Sequence, residues 1–376
     1  MLEFSVTRGG PTGPRCGELQ FTRRTVQTPA FMPCASLAAI KACPPHLVAE
    51  MGVQMMICNA YHLWQRPGTA TIRALGGLHQ FMSWPGALAT DSGGFQAFSI
   101  AGNSGISEDG FEFRSPLSGK LLHLTPERSV QLQNEFGSDA AMVLDECVAY
   151  PAEREYVAAS IERTARWAER CKQAHGNDAQ ALFGIVQGGV YDELRAASAT
   201  ATAAIGFDGY AIGGLSVGET KAEMLAALDA TVPQLPAEAP RYLMGVGTPL
   251  DIVASVRRGV DLFDCVLPTR NARHGSLMTW DGPLKITRRE FSEDGRPIDA
   301  NCSCPACTKY SRAYLHHLHR SDEATAWQLL SLHNLRFYAD FMVALRQAIT
   351  TAAIDALEKR LSAWTLREAA DLEDTK

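Results

Sequence analysis

Ala181-Leu182-Phe183-Gly184-Ile185-Val186-Gln187, an amphipathic stretch at 192–205, and then Gly209-Tyr210-Ala211-Ile212-Gly213-Gly214 together decide the fold class. A short apolar run closed by a polar residue or a glycine reads as a buried strand, and apolar residues at helical spacing between two such runs read as a crossover helix. Parallel strands need a connection of that length. Working outward, the same alternation recurs with runs at 54–59, 87–91, 140–145, 242–247 and 262–267, and with helices predicted at 151–174 and 249–258, the latter opened by Thr248 as N-cap. Seven strands separated by helices admit an open doubly wound sheet or a closed barrel. The strand ends favour the barrel: Asn59, Asp91, Asp145, Gln187, Gly213, Gly247 and Asp264 close nearly every run, and a barrel's C-terminal face is where such residues converge. The expectation is an α/β protein, a (β/α)8 TIM barrel, with a structural zinc-binding subdomain inserted near the C-terminus.

Residues 1–27 read as a β-rich lead-in with a turn at 8–14, and 28–376 as the barrel catalytic domain. Past residue 281 the alternation breaks: a loop-rich stretch at 285–310 is followed by helices at 311–319 and 322–348, so that 285–348 forms the predicted subdomain. The acidic segment 368–376 is expected to fray. With 46% hydrophobic and 20% charged residues in 376, the composition is that of a folded globular protein. The first 14 residues lack the order of a signal peptide and no apolar run approaches the roughly 18 to 20 residues that cross a bilayer, so a cytoplasmic enzyme is expected.

Three of the ten cysteines crowd into Cys302-x-Cys304-x-x-Cys307, and 25 residues separate the last from His333. Three thiolates and an imidazole complete a tetrahedral shell for one zinc ion, with no open position for substrate, so the metal is expected to be structural. His316, His317 and His319 compete as fourth ligand. The other seven cysteines are scattered, which fits reduced thiols.

Asp91 opens Asp91-Ser92-Gly93-Gly94-Phe95-Gln96 at a strand end, where a capping turn is the plain alternative. Asp264, however, lies inside an apolar run, where a carboxylate is costly unless it pairs or performs chemistry. Two carboxylates on one barrel face suit displacement at an anomeric carbon, one attacking and the other handling the leaving group's proton. Asp145 supplies a third acid.

Taken in order, Asp91-Ser92-Gly93-Gly94-Phe95-Gln96, Asp145-Glu146-Cys147, Gly184-Ile185-Val186-Gln187-Gly188-Gly189, Gly213-Gly214-Leu215-Ser216-Val217-Gly218-Glu219, Met244-Gly245-Val246-Gly247, the segment from Asp264 to Arg273 and the cysteine–histidine site resemble the tRNA-guanine transglycosylases. That resemblance implies base exchange of wobble guanine in GUN-anticodon tRNAs (Asp, Asn, His, Tyr) for 7-aminomethyl-7-deazaguanine (preQ1), in queuosine biosynthesis. It implies Asp264 as the nucleophile that forms a covalent Asp–ribose intermediate and Asp91 as general acid/base. The base would meet Asp145, Gln187, Gly214, Leu215 and Ser92, and would be sandwiched by Phe95 and Met244. Cys147 and Val217 resemble the bacterial enzymes. Ser216 departs from the alanine often found there.

Net charge is −6, yet residues 257–289 hold seven Lys/Arg against three acids. Given the resemblance, Arg270, Arg273, Lys285, Arg288 and Arg289 become candidate contacts to tRNA phosphates. Tyr310, Tyr314 and His317 form a candidate homodimer patch, with packing inside the chain as the alternative. Two other readings are a non-catalytic RNA-binding subunit, which would predict loss of Asp91 or Asp264, and a metal-dependent barrel hydrolase, which would need histidine at strand ends.

Overall fold

Eight short parallel strands wind about one axis in the computed structural model, which describes residues 2–101 and 105–362; segment 368–376 lies outside the described residues. The strands are β1 (Ala30–Pro33), β2 (Met55–Cys58), β3 (Ala87–Thr90), β4 (Ala140–Met142), β5 (Ala181–Val186), β6 (Gly209–Ile212), β7 (Arg241–Leu243) and β8 (Leu262–Cys265). Each pairs with its neighbour in sequence from β2 to β8, and β1 pairs with β8 with Met32 opposite Asp264. A bridge between Cys34 and Ile57, with Ala35 N donating to Ile57 O at 2.7 Å, brings β1 to β2 and closes the ring. The protein is therefore the predicted (β/α)8 barrel. Its strands are apolar and buried on both faces because helices cover the outside and side chains fill the inside.

The strand that completes the eight, β1, escaped the sequence pattern. It lies directly after the lead-in strands, and the helix that follows it, Pro45–Glu50, is only six residues long. The helices at Arg154–Ala174, Asp192–Ile205 and Pro249–Val256 stand where the periodicity put them, the last with Thr248 Oγ1 accepting from Asp251 N at 3.2 Å. An antiparallel sheet, Ile106–Ser107, Gly110–Arg114 and Leu121–Leu124, is inserted between β3 and β4 and was not anticipated.

Strands Glu3–Arg8, Cys16–Gln20 and Thr25–Thr28 form an antiparallel sheet that is fixed to the barrel's N-terminal end. Arg15 grips Asp261 with both ends of its fork, Nε to Oδ1 at 2.8 Å and Nη2 to Oδ2 at 2.5 Å, and both residues are fully buried. Asp261 also accepts Arg241 N at 2.8 Å. This charge-assisted pair holds the foot of β8, three residues before Asp264.

Beyond β8 come helix Leu267–Arg273, hairpin Ser276–Thr279 and Gly282–Lys285, helices Pro305–Lys309 and Arg312–Arg320, and the long helix Ala324–Thr350. Asn334 on the long helix donates to Pro268 O (2.8 Å) and Ser276 O (3.1 Å) and accepts from Met278 N (2.9 Å), which ties hairpin and helix to the barrel rim. Among the described residues no helix is long and apolar enough to cross a membrane.

Candidate active site

All eight strands run the same way, so the residues that follow them gather at one end. There a cavity of about 320 Å³ is lined by Asp91, Asp145 and Asp264 together with Ser92, Phe95, Gln187, Gly214, Leu215 and Met244. Every residue expected to catalyse or to hold the base reaches this single space, and the two acids proposed to face one sugar carbon share its wall.

Asp264 sits within β8, and its two oxygens are treated differently. Oδ1 accepts from the Tyr242 hydroxyl (2.6 Å) and from Gly245 N (2.8 Å), whereas Oδ2 meets only the Cys34 thiol at 3.5 Å. Burial pushes its carboxyl above the ordinary range, and the donors from Tyr242, Gly245 and Cys34 oppose the rise. The asymmetry leaves Oδ2 as the oxygen with a free lone pair toward the cavity.

Asp91 begins a turn that glycine makes possible. Gly93 has φ +78, and a Cβ there would lie 3.2 Å from that of Tyr61. Ser92 Oγ accepts from Gly94 N at 3.2 Å as helix Gly94–Ala101 starts, and Ser129 Oγ donates to Ser92 O at 2.7 Å. The capping reading of Asp91 turns out to be correct and compatible with the other. Its Oδ1 accepts from Ala60 N (2.8 Å) at the start of helix Ala60–Gln65 and from Gly93 N (3.2 Å), while Asn59 Nδ2 donates to Oδ2 at 2.6 Å. Burial pushes Asp91 up to about 7; the Ala60 and Gly93 amides work against this, and the charges of Asp264 and Asp145 add to it. A group that titrates near neutrality can both give and take a proton.

Asp145 is buried three residues past the end of β4 and is raised to about 6 by burial, against donation from Gln187 and Ser92. Gln187 Nε2 donates to its Oδ2 at 2.6 Å and Ser92 Oγ to its Oδ1 at 3.5 Å. The pair presents a carboxylate and an amide side by side, the complement of a guanine-type edge. Phe95 is 55% exposed although the cavity is apolar around it, so its ring face is open to a planar ligand. Cys147 and Val217 also line the cavity.

Glu146, the neighbour of Asp145, is fully buried and points elsewhere: Tyr156 OH donates to it at 2.6 Å and Arg163 pairs with it. Sequence reasoning missed the residues that set the acids. Tyr242, Cys34 and the Gly245 amide had no role assigned, and Asn59 was noted only as a strand end. A phenol in a buried three-residue strand, 22 residues from Asp264, was the one available signal.

The three cysteines and His333 come together away from this cavity. Their ligand atoms lie within 4.8 Å of one another, with His333 Nδ1 3.6, 3.6 and 3.3 Å from the sulfurs of Cys302, Cys304 and Cys307. Tetrahedral bonds of ~2.3 Å to sulfur and ~2.0 Å to nitrogen place S and N about 3.5 Å apart, so the group fits a metal ion. His333 Nε2 lies 2.9 Å from Met278 O; donation there leaves Nδ1 as the lone pair facing the sulfurs. His316 and His319 instead lie against the carbonyls of Ile286 (2.6 Å) and Arg273 (3.3 Å), and neither joins the group. His317, the remaining competitor, is exposed and is outside it too.

The five basic candidates do not line the carboxylate cavity. Arg270 is exposed and Arg273 half-buried on helix Leu267–Arg273, immediately past the strand of Asp264. Lys285 closes the hairpin, and Arg288 and Arg289 are exposed beyond it; Lys285 and Arg288 line a separate cavity of about 690 Å³. Tyr310 and Tyr314 stack with ring centroids 5.3 Å apart, and Tyr314 and His317 face outward.

A sequence profile described as queuine tRNA-ribosyltransferase matches residues 11–364. The curated queuine tRNA-ribosyltransferase of Idiomarina loihiensis is 50% identical over 341 residues, covering 91% of this chain and 91% of that protein. That of Nitrosomonas europaea is 49% identical over 348 residues (93% and 94% covered), and that of Pseudomonas putida is 49% identical over 342 residues (91% and 92%).

Proposed function

The chain belongs to the queuine tRNA-ribosyltransferase family, and from that premise we propose that it is a tRNA-guanine transglycosylase exchanging wobble guanine of GUN-anticodon tRNAs for preQ1. The observation that carries this reading is the shared wall of one cavity by Asp91 and Asp264, with Oδ2 of Asp264 left open. Asp264 Oδ2 attacks C1′ of the flipped nucleotide, the C1′–N9 bond breaks, and its electron pair leaves with guanine as Asp91 delivers the proton. An ester joins enzyme and tRNA. The incoming base takes the vacated slot, loses its N9 proton to Asp91 and attacks C1′, returning Asp264 as carboxylate. Phe95 and Met244 hold the ring, Asp145 and Gln187 read its edge, Gly214 and Leu215 offer backbone groups, and Ser92 supports Asp145. Cys147 and Val217 leave room for a small 7-substituent.

Cys302, Cys304, Cys307 and His333 would hold zinc as a structural ion, which supplies the cross-link between loop and long helix. Arg270, Arg273, Lys285, Arg288 and Arg289 contact anticodon-arm phosphates in this reading. The outward Tyr314 and His317, beside Tyr310, form the patch on which a second copy docks, and the enzyme works in the cytoplasm.

The test is incorporation of labelled guanine into unmodified tRNA, with denaturing electrophoresis to trap the adduct. Wild-type protein incorporates label and gives an RNA–protein band; Asp264→Ala gives neither. Incorporation by Asp264→Ala refutes the nucleophile assignment.

A further inference from the structure

Beneath the base side of the cavity lies a cation that the reaction above leaves without a task. Arg195, on helix Asp192–Ile205, has no solvent exposure. Its guanidinium donates to main-chain carbonyls: Nε to Gly189 (2.6 Å), Nη1 to Gly213 (2.7 Å) and Val186 (3.4 Å), and Nη2 to Gly214 (3.2 Å). None of these partners is a carboxylate. Burial pulls the group down to about 10, so it stays charged at neutral pH. Charge hidden from water costs several kcal/mol even where it is well satisfied, and a methionine would fill such a space without that cost.

What the four carbonyls share is their place. Val186 and Gly189 bracket Gln187 and Gly188, and Gly213 and Gly214 form the turn after β6. A trans peptide is planar, so a carbonyl aimed at Arg195 sends the next amide the other way. The Gly213 carbonyl thus fixes the Gly214 amide, which meets the thiol of Cys147 on the cavity wall. The Gly214 carbonyl fixes the amide of Leu215 in the same manner. The turn has no slack: Gly214 has φ +67, and a Cβ there would lie 2.2 Å from Gln187 Oε1.

We infer that Arg195 is a positioning residue for base exchange, holding the Gly213 and Gly214 carbonyls so that the Gly214 and Leu215 amides face the carbonyl oxygen of the purine. The inference rests on the transglycosylase reading. As the C1′–N9 bond breaks and its electron pair moves onto the ring, negative charge builds on that oxygen until Asp91 supplies the proton. Amides whose own carbonyls are bonded to a cation are polarised toward it.

The experiment compares wild-type protein with Arg195→Lys and Arg195→Met. Dissociation constants of free guanine and of 2,6-diaminopurine, which carries an amine in place of the carbonyl, are measured by calorimetry, which needs no turnover. In folded Arg195→Met the guanine constant rises about tenfold, the scale of one hydrogen bond, while that of 2,6-diaminopurine changes less than about twofold. Arg195→Lys, whose single ammonium cannot span both carbonyls, restores part of the discrimination. A purely structural role would lower the melting temperature and leave the ratio of the two constants as in wild type; that result overturns the inference, and if Arg195→Met does not fold, the ratio in Arg195→Lys decides. Labelled-guanine incorporation by wild-type protein runs alongside, and its absence counts against the transglycosylase reading while the affinity ratio still judges Arg195.

Discussion

Tyr242→Phe removes one oxygen atom from the molecule and resets the nucleophile. The hydroxyl donates to Asp264 Oδ1 at 2.6 Å, beside Gly245 N at 2.8 Å. A hydrogen bond to a charged acceptor contributes ~1.5–3 kcal/mol, which at ~1.36 kcal/mol per pKa unit corresponds to a shift of about 1–2 units. The sign follows from which form is bonded. The phenol stabilises the carboxylate, so its loss raises an Asp264 already raised by burial. Because only the carboxylate attacks C1′, the acid limb of kcat/KM moves to higher pH by about 1–2 units. On that limb exchange falls at least about tenfold, and well above it the rate returns toward wild type. The assay is labelled-guanine incorporation across pH 5 to 9, with Asp264→Ala as the baseline that no pH restores. An unmoved acid limb under a uniformly lowered plateau would refute the reasoning, since it would mean that the phenol only supports packing.

Asp145→Asn folds, with Gln187 turning its amide to present the oxygen, and loses affinity for guanine. Its folded pKa is raised to about 6, so the native state holds the extra proton between about pH 4 and 6 and wild-type stability falls as pH rises through that window. The variant escapes this and is more stable above pH 7 by up to about 3 kcal/mol, with little difference near pH 3, as melting curves against pH will show. Cys304→Ser removes one of the grouped sulfurs; metal analysis should find less than one zinc ion per chain and thermal melting a loss of at least several degrees, and a metal-free variant of full stability would contradict a structural ion. Arg270→Ala leaves affinity for free guanine unchanged and weakens tRNA binding, with the slope of log affinity against log salt reduced by about 1; a salt slope equal to wild type removes Arg270 from the RNA contacts. Asp261→Asn breaks a buried pair with Arg15, and urea titration should show a loss of about 3–5 kcal/mol, because the guanidinium remains buried without its partner.

What the sequence exposed and what it hid divide along one physical line. Asp264 in an apolar strand and Asp91 before two glycines were conspicuous because burying a carboxylate is costly unless function or a partner compensates, and three cysteines in six residues because that spacing lets one loop supply three ligands to a metal. The strands around them showed because a short apolar run between helices has few other readings, and β1 failed that criterion by following directly on the lead-in strands and lacking a long helix after it. The supporting contacts carry no comparable local mark. Tyr242 and Asp264 are 22 residues apart, and Arg195 lies 18 and 19 residues from the Gly213 and Gly214 carbonyls it binds; in sequence the first is an ordinary strand aromatic and the second an ordinary helix arginine. Only the pairing of consecutive parallel strands puts β7 beside β8, and the helix after β5 under the turn after β6. A reacting group can therefore be found from composition and pattern, whereas the groups that set its charge and aim become visible once strand neighbours are known. In this barrel those groups come from adjacent strands: Tyr242 on β7 and Gly245 after it stand beside Asp264 on β8, and Gln187 follows β5 beside Asp145 after β4. The place to look for such a residue around any strand-end acid is accordingly the strand on either side of it in the ring, and Asn59 after β2, bonded to Asp91 after β3, obeys the same rule.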